Sequence, residues 1–112
     1  MAIAAASALS ACSTTIREIR EHPPRSTYVS NRTGPELEAC LAGNLSWIAQ
    51  PSIIHGETST ELAFGGSGGG ATALLVTLHP LAKGTQVEVR ELLMYGARVR
   101  HNVEACVAGR DK

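Results

Sequence analysis

Residues 71–91, ATALLVTLHPLAKGTQVEVRE, decide the fold class of this 112-residue chain. The run from 71 to 79 is so dense in apolar residues that it predicts a strand buried on one face and shielded on the other. Residues 80–85 are typical of a turn, and residues 86–90 alternate apolar and polar side chains, as a half-buried strand does. The stretch therefore predicts two antiparallel strands. Upstream, residues 53–54 and 58–64 predict two more strands.

Helical patterns flank these strands. A helix is predicted over residues 35–45, because Thr33 or Gly34 can cap it and Pro35 suits the first helical position. A second helix is predicted near the end of the chain from the apolar pattern that begins at Val99; because Val99-Arg100-His101 would also suit a strand, the helix could begin as late as Asn102. Apolar residues at helical spacing form one stripe on each, and the stripes consist of Leu37, Cys40, Leu41 and Leu45, and of Val99, Val103, Cys106 and Val107.

In chain order these elements give α-β-β-β-β-α, and the length suits one small domain. We predict an α+β domain over residues 34–112, in which a four-stranded antiparallel sheet carries both helices on one face. Such a two-layer sandwich is the simplest way to cover one side of the sheet.

The first sixteen residues contain none of the twenty Lys, Arg, Asp and Glu residues. Residues 1–12 read MAIAAASALSAC, an apolar stretch too short to span a bilayer but of the length typical of a signal peptide. The tetrapeptide Leu9-Ser10-Ala11-Cys12 resembles the lipobox of bacterial lipoproteins. That resemblance implies a signal peptide over residues 1–11 and a lipidated Cys12 as the mature first residue. The alternative is an ordinary core helix over residues 2–11 with Cys12 as a buried thiol.

The same resemblance implies attachment to a membrane of the bacterial cell envelope. Ser13, a residue other than Asp after the cysteine, is typical of sorting to the outer membrane in enterobacterial lipoproteins, so the domain is expected to face the periplasm. Residues 12–33 are mainly polar and contain Pro23-Pro24, and they predict a flexible tether that reaches at most about 70 Å. The repeated Ile-Arg-Glu within them could alternatively form a short helical turn.

If Cys12 carries lipid, Cys40 and Cys106 remain as a pair in a compartment where disulfides persist. Both lie on apolar helical stripes, where a structural disulfide is expected. The competing interpretation makes them metal ligands or a nucleophile, but the chain contains no CxxC or HxxxH spacing.

Residues 65–70 read GGSGGG, and Gly66, Gly68 and Ala71 satisfy the phosphate-turn pattern of dinucleotide-binding folds. That pattern requires a helix after the glycines, whereas the sequence predicts a strand there. No Lys-Ser or Lys-Thr follows, which excludes a P-loop. We therefore expect a flexible connection and no cofactor.

The sequence contains few residues that could serve catalysis, metal binding or nucleic-acid binding. Zero formal charge and four aromatic residues argue against a nucleic-acid partner, and the four histidines are scattered without metal-ligand spacing. No catalytic residue or metal site is predicted, and the chain is not expected to be an enzyme. Two functions stay open, namely a structural or protein-interaction lipoprotein of the envelope, whose partner is another envelope protein, and a periplasmic small-ligand or inhibitor module.

Overall fold

The computed structural model describes residues 16–65, 72–92 and 95–109. In these ranges the chain forms one antiparallel sheet and three helices. In chain order the elements are α1 (Ile16–Arg20), β1 (Ser26–Ser30), α2 (Gly34–Asn44), β2 (Ser52–His55), β3 (Thr60–Gly65), β4 (Thr72–Pro80), β5 (Thr85–Glu91) and α3 (Ala97–Val107).

The predicted α+β class is confirmed, but the number of strands and the element order are wrong. The sheet has five strands in the order β1-β5-β4-β3-β2. Its additional strand, β1, reads STYVS and pairs with β5, so that Ser26 lies opposite Val89. Tyr28 and Ser30 lie on the inward face of β1, where they are half-buried and buried respectively, while Val29 on the opposite face is exposed. A polar edge strand of this kind has little apolar signal in its sequence.

The expectation of a flexible tether over residues 12–33 is therefore wrong from Ile16 onward. Helix α1 packs against the outer face of the sheet, where Ile19 is fully buried with Ala63 and Leu75. Arg20 joins this helix to β3 through a two-pronged ion pair with Glu61, in which Arg20 Nε donates to Glu61 Oε2 over 2.7 Å. The folded domain thus begins before residue 34. Residues 1–15, including Cys12, lie outside the described ranges.

The main core lies between the other face of the sheet and helices α2 and α3. Strand β4 is buried continuously from Thr72 to Leu78, which confirms the prediction of a strand covered on both faces. Among the described residues, the buried members of the main core are Leu37, Leu41, Leu45, Leu62, Phe64, Leu74, Val76, Leu78, Val87, Val89, Val99, Val103 and Cys106. We call this side of the sheet the helix face and the α1 side the outer face.

A disulfide bond joins α2 to α3. The sulfur atoms of Cys40 and Cys106 lie 2.03 Å apart and their Cα atoms 5.7 Å apart. The cysteine pairing that the sequence predicts is therefore present. With both thiols bonded to each other, neither serves as a metal ligand or a nucleophile.

Local signals place the helix ends. Thr33 caps α2 through a capping box with Glu36, which satisfies backbone N–H groups at the helix start, and α2 runs one residue earlier than predicted at each end. Helix α3 begins at Ala97, earlier than the range expected from its apolar stripe. Within the described ranges, none of the helices combines the length and the apolarity needed to cross a membrane.

Candidate functional site

A cavity of about 120 Å³ opens where β1 begins and β5 ends, beneath the first turn of α3. Its walls combine apolar and charged side chains. The residues that give it chemical character are Arg25, Tyr28, Val89, Glu91, Gly96 and Arg100.

The alternation of β5 places Glu91 in this cavity. Val87 and Val89 face the helices and are buried, and Glu91 continues their face at the end of the strand. Arg25 is held beside it, because its backbone N–H donates to the carbonyl oxygen of Val89 over 2.7 Å. A carboxylate and a guanidinium therefore meet at the edge of the apolar core.

The negative charge of the Glu91 carboxylate is only partly balanced by neighbouring groups. Its side chain is 11% exposed, and Oε2 lies 3.5 Å from Nε of Arg25. Oε1 is buried and has no hydrogen-bond partner among the residues that the structure describes. Burial raises the pKa of the Glu91 carboxyl above its ordinary value, while the positive charges of Arg25 and Arg100 partly offset that rise. The site thus contains an acceptor oxygen that is removed from water.

The start of α3 forms the opposite wall. Gly96 is the N-cap, with a positive φ of 73°, and no side chain caps the helix there. In contrast to α2, α3 thus has no side-chain cap from its N-cap residue in the described part of the chain. Gly96 and Ala97 both line the cavity, so the positive end of the helix dipole contributes to it.

An aromatic cluster fixes the chain just before this helix. The rings of Trp47 and Tyr95 pack edge to face with centroids 5.8 Å apart, and the Arg98 guanidinium lies 4.0 Å from the centroid of the Trp47 ring. Trp47 Nε1 also donates to Asn102 Oδ1 over 2.8 Å. These contacts tie the residues after α2 to the first turns of α3, and they hold the helix wall of the cavity in place.

Of the glycine-rich run singled out from the sequence, only Gly65 falls within the described residues. Gly65 ends β3, while Gly66, Gly68 and Ala71 lie outside the described residues. The segment after them, from Thr72 onward, is a strand, as predicted, and not the helix that a dinucleotide site requires.

The described histidines are dispersed over the surface of the domain. His55 Nε2 lies 2.7 Å from Glu38 Oε1, and His79 Nε2 lies 2.7 Å from Glu88 Oε1. Within the described ranges, no three His, Cys, Asp or Glu residues come close enough together to hold a metal ion.

Sequence reasoning missed Glu91, although a signal for it exists. The inward positions of β5 read Val87, Val89 and Glu91, so that a charged residue continues an apolar series. The neighbouring residues Glu88 and Arg90 lie on the outer face, where Arg90 Nη1 donates to Glu88 Oε1 over 3.3 Å. The arginines near Glu91 are distant from it in sequence or lie in another element, because Arg25 lies just before β1 and Arg100 lies in α3.

No family model, curated protein or solved structure matches the chain. The binding properties of the site therefore have to be inferred from the cavity. It offers one buried carboxylate oxygen as an acceptor, two guanidinium groups as donors and apolar walls.

Proposed function

We propose that this chain is a lipid-anchored lipoprotein of the bacterial cell envelope whose domain binds another envelope protein. The lipobox-like Leu9-Ser10-Ala11-Cys12 supports the anchor and the location. Acyl chains on Cys12 would hold the protein at a membrane surface, with the outer membrane as the expected one and the domain on its periplasmic side.

The observation that carries the interaction role is the state of β2. Among the residues that the structure describes, this strand forms one edge of the sheet, and all four of its residues are exposed. Ile53 and Ile54 are 37% and 40% exposed on its opposite faces. Natural edge strands are usually protected by being short or by Lys, Pro or a bulge; β2 is short, but its two exposed isoleucines carry no charge that would repel an added strand.

This edge suits an extended segment of a partner protein. Alternate backbone N–H and C=O groups on the free side of an edge strand can pair with an added strand, while side chains above and below it provide apolar contacts. Ile53 and Ile54 occupy those two positions. We therefore assign the partner contact to strand addition at β2.

A photo-crosslinking amino acid at Ile54, in the exported protein within intact membranes, tests this role. The matched control is the same probe at Val29, which is 66% exposed on the opposite edge strand. We expect one defined product containing another envelope protein from position 54 and none from position 29. A charge introduced by Ile53→Lys should abolish that product. Equal products from both positions, or none from position 54, would contradict the proposal.

The anchor is tested separately. Cys12→Ala removes the thiol that would be acylated, so the variant should leave the membrane fraction or stay unprocessed. Equal membrane association of the two forms would contradict the lipid anchor without affecting the assignment of β2.

A second candidate function, the binding of a small periplasmic ligand, is favoured by the cavity beside Glu91. It combines a buried, unpartnered acceptor with charged and apolar walls in the described part of the chain, which is the composition of many small-molecule sites.

A further inference from the structure

We propose that the cavity between β1, β5 and α3 binds a small zwitterion of the size of a short α-amino acid. Its ammonium group would lie on Glu91 and its carboxylate near Arg25 and Arg100. This inference rests on the second candidate function and names the ligand class for it.

The ammonium position follows from Glu91. An ionised carboxylate is an acceptor only, with about four lone-pair sites on its two oxygens. One oxygen faces Arg25 at 3.5 Å, while Oε1 is buried without a partner among the described residues. A charged donor is the group that compensates such an oxygen best, because charge-assisted hydrogen bonds are the strong ones.

The carboxylate position follows from the two arginines. Arg25 is half exposed and Arg100 is exposed, so both lie toward the solvent side of the cavity while Glu91 lies inside. The uncapped start of α3 adds a further positive potential. A simple cation would be repelled by both arginines, and a simple anion would be repelled by Glu91. A ligand that carries both charges satisfies both halves of the site.

The volume limits the size of this ligand. The cavity volume is about 120 Å³. Drug-sized ligands occupy clefts of about 300 Å³ or more, so a ligand enclosed by this cavity is smaller than those. Val89 and Val103 line the cavity and can accept a short aliphatic side chain. Glycine and alanine combine the required charges with this size.

Isothermal titration of the full chain with L-alanine at neutral pH tests the proposal. N-acetyl-L-alanine lacks the ammonium group, and L-alanine methyl ester lacks the carboxylate. We expect L-alanine to bind and each derivative to bind about tenfold more weakly or worse, since each leaves a charged group of the site without its partner. Binding of the acetylated derivative with equal affinity would overturn the assignment.

Two variants identify the residues. Glu91→Gln, which keeps the shape but removes the charge, should weaken L-alanine binding about tenfold or more. Glu88→Gln is the matched control, because it makes the same change on the outer face, where His79 and Arg90 hold the carboxylate. It should leave the affinity unchanged.

If Glu91→Gln does not fold, Arg100→Gln replaces it, because Arg100 is exposed and its loss should not disturb the core. We expect this variant to weaken L-alanine binding as well. The proposal is overturned if neither glycine nor L-alanine binds at millimolar concentration, or if the Glu91 or Arg100 variant binds as the wild type does. Crosslinking at β2 depends on none of these residues, so the two proposals fail independently.

Discussion

The two faces of the sheet are built differently. In the part of the chain that the structure describes, the helix face buries thirteen core residues under α2 and α3, which the Cys40–Cys106 disulfide joins. In the described ranges, the outer face buries a small cluster of Ile19, Ala63 and Leu75 under the five-residue helix α1. Hydrophobic stabilisation follows the apolar area removed from water, so the helix face supports the fold and α1 is an added cover. The difference shows that a strand as apolar as β4 can be covered on both faces without two equal layers.

The largest expected effect on stability comes from removing the Cys40–Cys106 disulfide on the helix face. The bonded cysteines are 66 residues apart in sequence, and the chain-entropy model gives such a loop about 4 kcal/mol of stabilisation. The double variant Cys40→Ala with Cys106→Ala should therefore lose about that free energy of unfolding in a urea titration. Reduction of the wild-type protein is the control and should reproduce the loss. A loss below about 1 kcal/mol would mean that packing alone holds the two helices.

Truncation of one buried residue on each face sharpens the comparison. Leu41→Ala should cost about 3 kcal/mol of global stability, because Leu41 is fully buried in the main core. Ile19→Ala should lower the free energy of unfolding by only about 2 kcal/mol. The loss is smaller because α1 can separate from the sheet while the main core stays intact. Hydrogen exchange should show faster exchange in α1 of the Ile19 variant and unchanged protection in β4. A greater global loss from Ile19→Ala than from Leu41→Ala would contradict the difference between the faces.

The smallest effect distinguishes the faces by their carboxylates. Burial raises the pKa of Glu91 on the helix face, so the stability it contributes is complete below the ordinary Glu value of 4.5 and is lost as pH rises through the folded pKa. For Glu88 on the outer face, burial also tends to raise the pKa. The hydrogen bonds from His79 and Arg90 outweigh that effect, so the pKa of Glu88 is lowered. Its contribution is present above 4.5 and is lost as pH falls.

Urea titrations across acidic and neutral pH measure this opposition. Relative to the wild type, Glu91→Gln should be more stable at neutral pH than at acidic pH, while Glu88→Gln should show the reverse. The two variants serve as controls for each other, and pH profiles of the same sign would rule out the assigned pKa directions.

Much of the fold is predictable because its signals are local. The apolar run of β4, the alternation of β5 and the helical stripes through Cys40 and Cys106 each follow from their own residues. By contrast, α1 and β1 have short, polar sequences, and their structure depends on the sheet they join. Strand β1 pairs with β5, which lies about sixty residues away, and no neighbouring residue indicates that contact.

The candidate site was less predictable for the same reason. Glu91 lies in β5, Arg25 just before β1 and Arg100 in α3, and the sequence identifies only the position of Glu91 within its strand. That Oε1 lacks a partner among the described residues depends on how α3 lies across the end of the sheet, and periodicity does not provide that geometry.

If Cys12 carries the proposed lipid, the early start of α1 limits how far the domain can lie from the membrane. Three residues separate Cys12 from Ile16, and even a fully extended chain spans only about 14 Å between their Cα atoms. With the lipid proposed on Cys12, the segment that links the lipid to α1 is shorter than the bilayer is thick. The domain would then rest beside the lipid headgroups and not reach outward into the periplasm. Its partners would accordingly be proteins whose periplasmic surfaces lie at the same membrane.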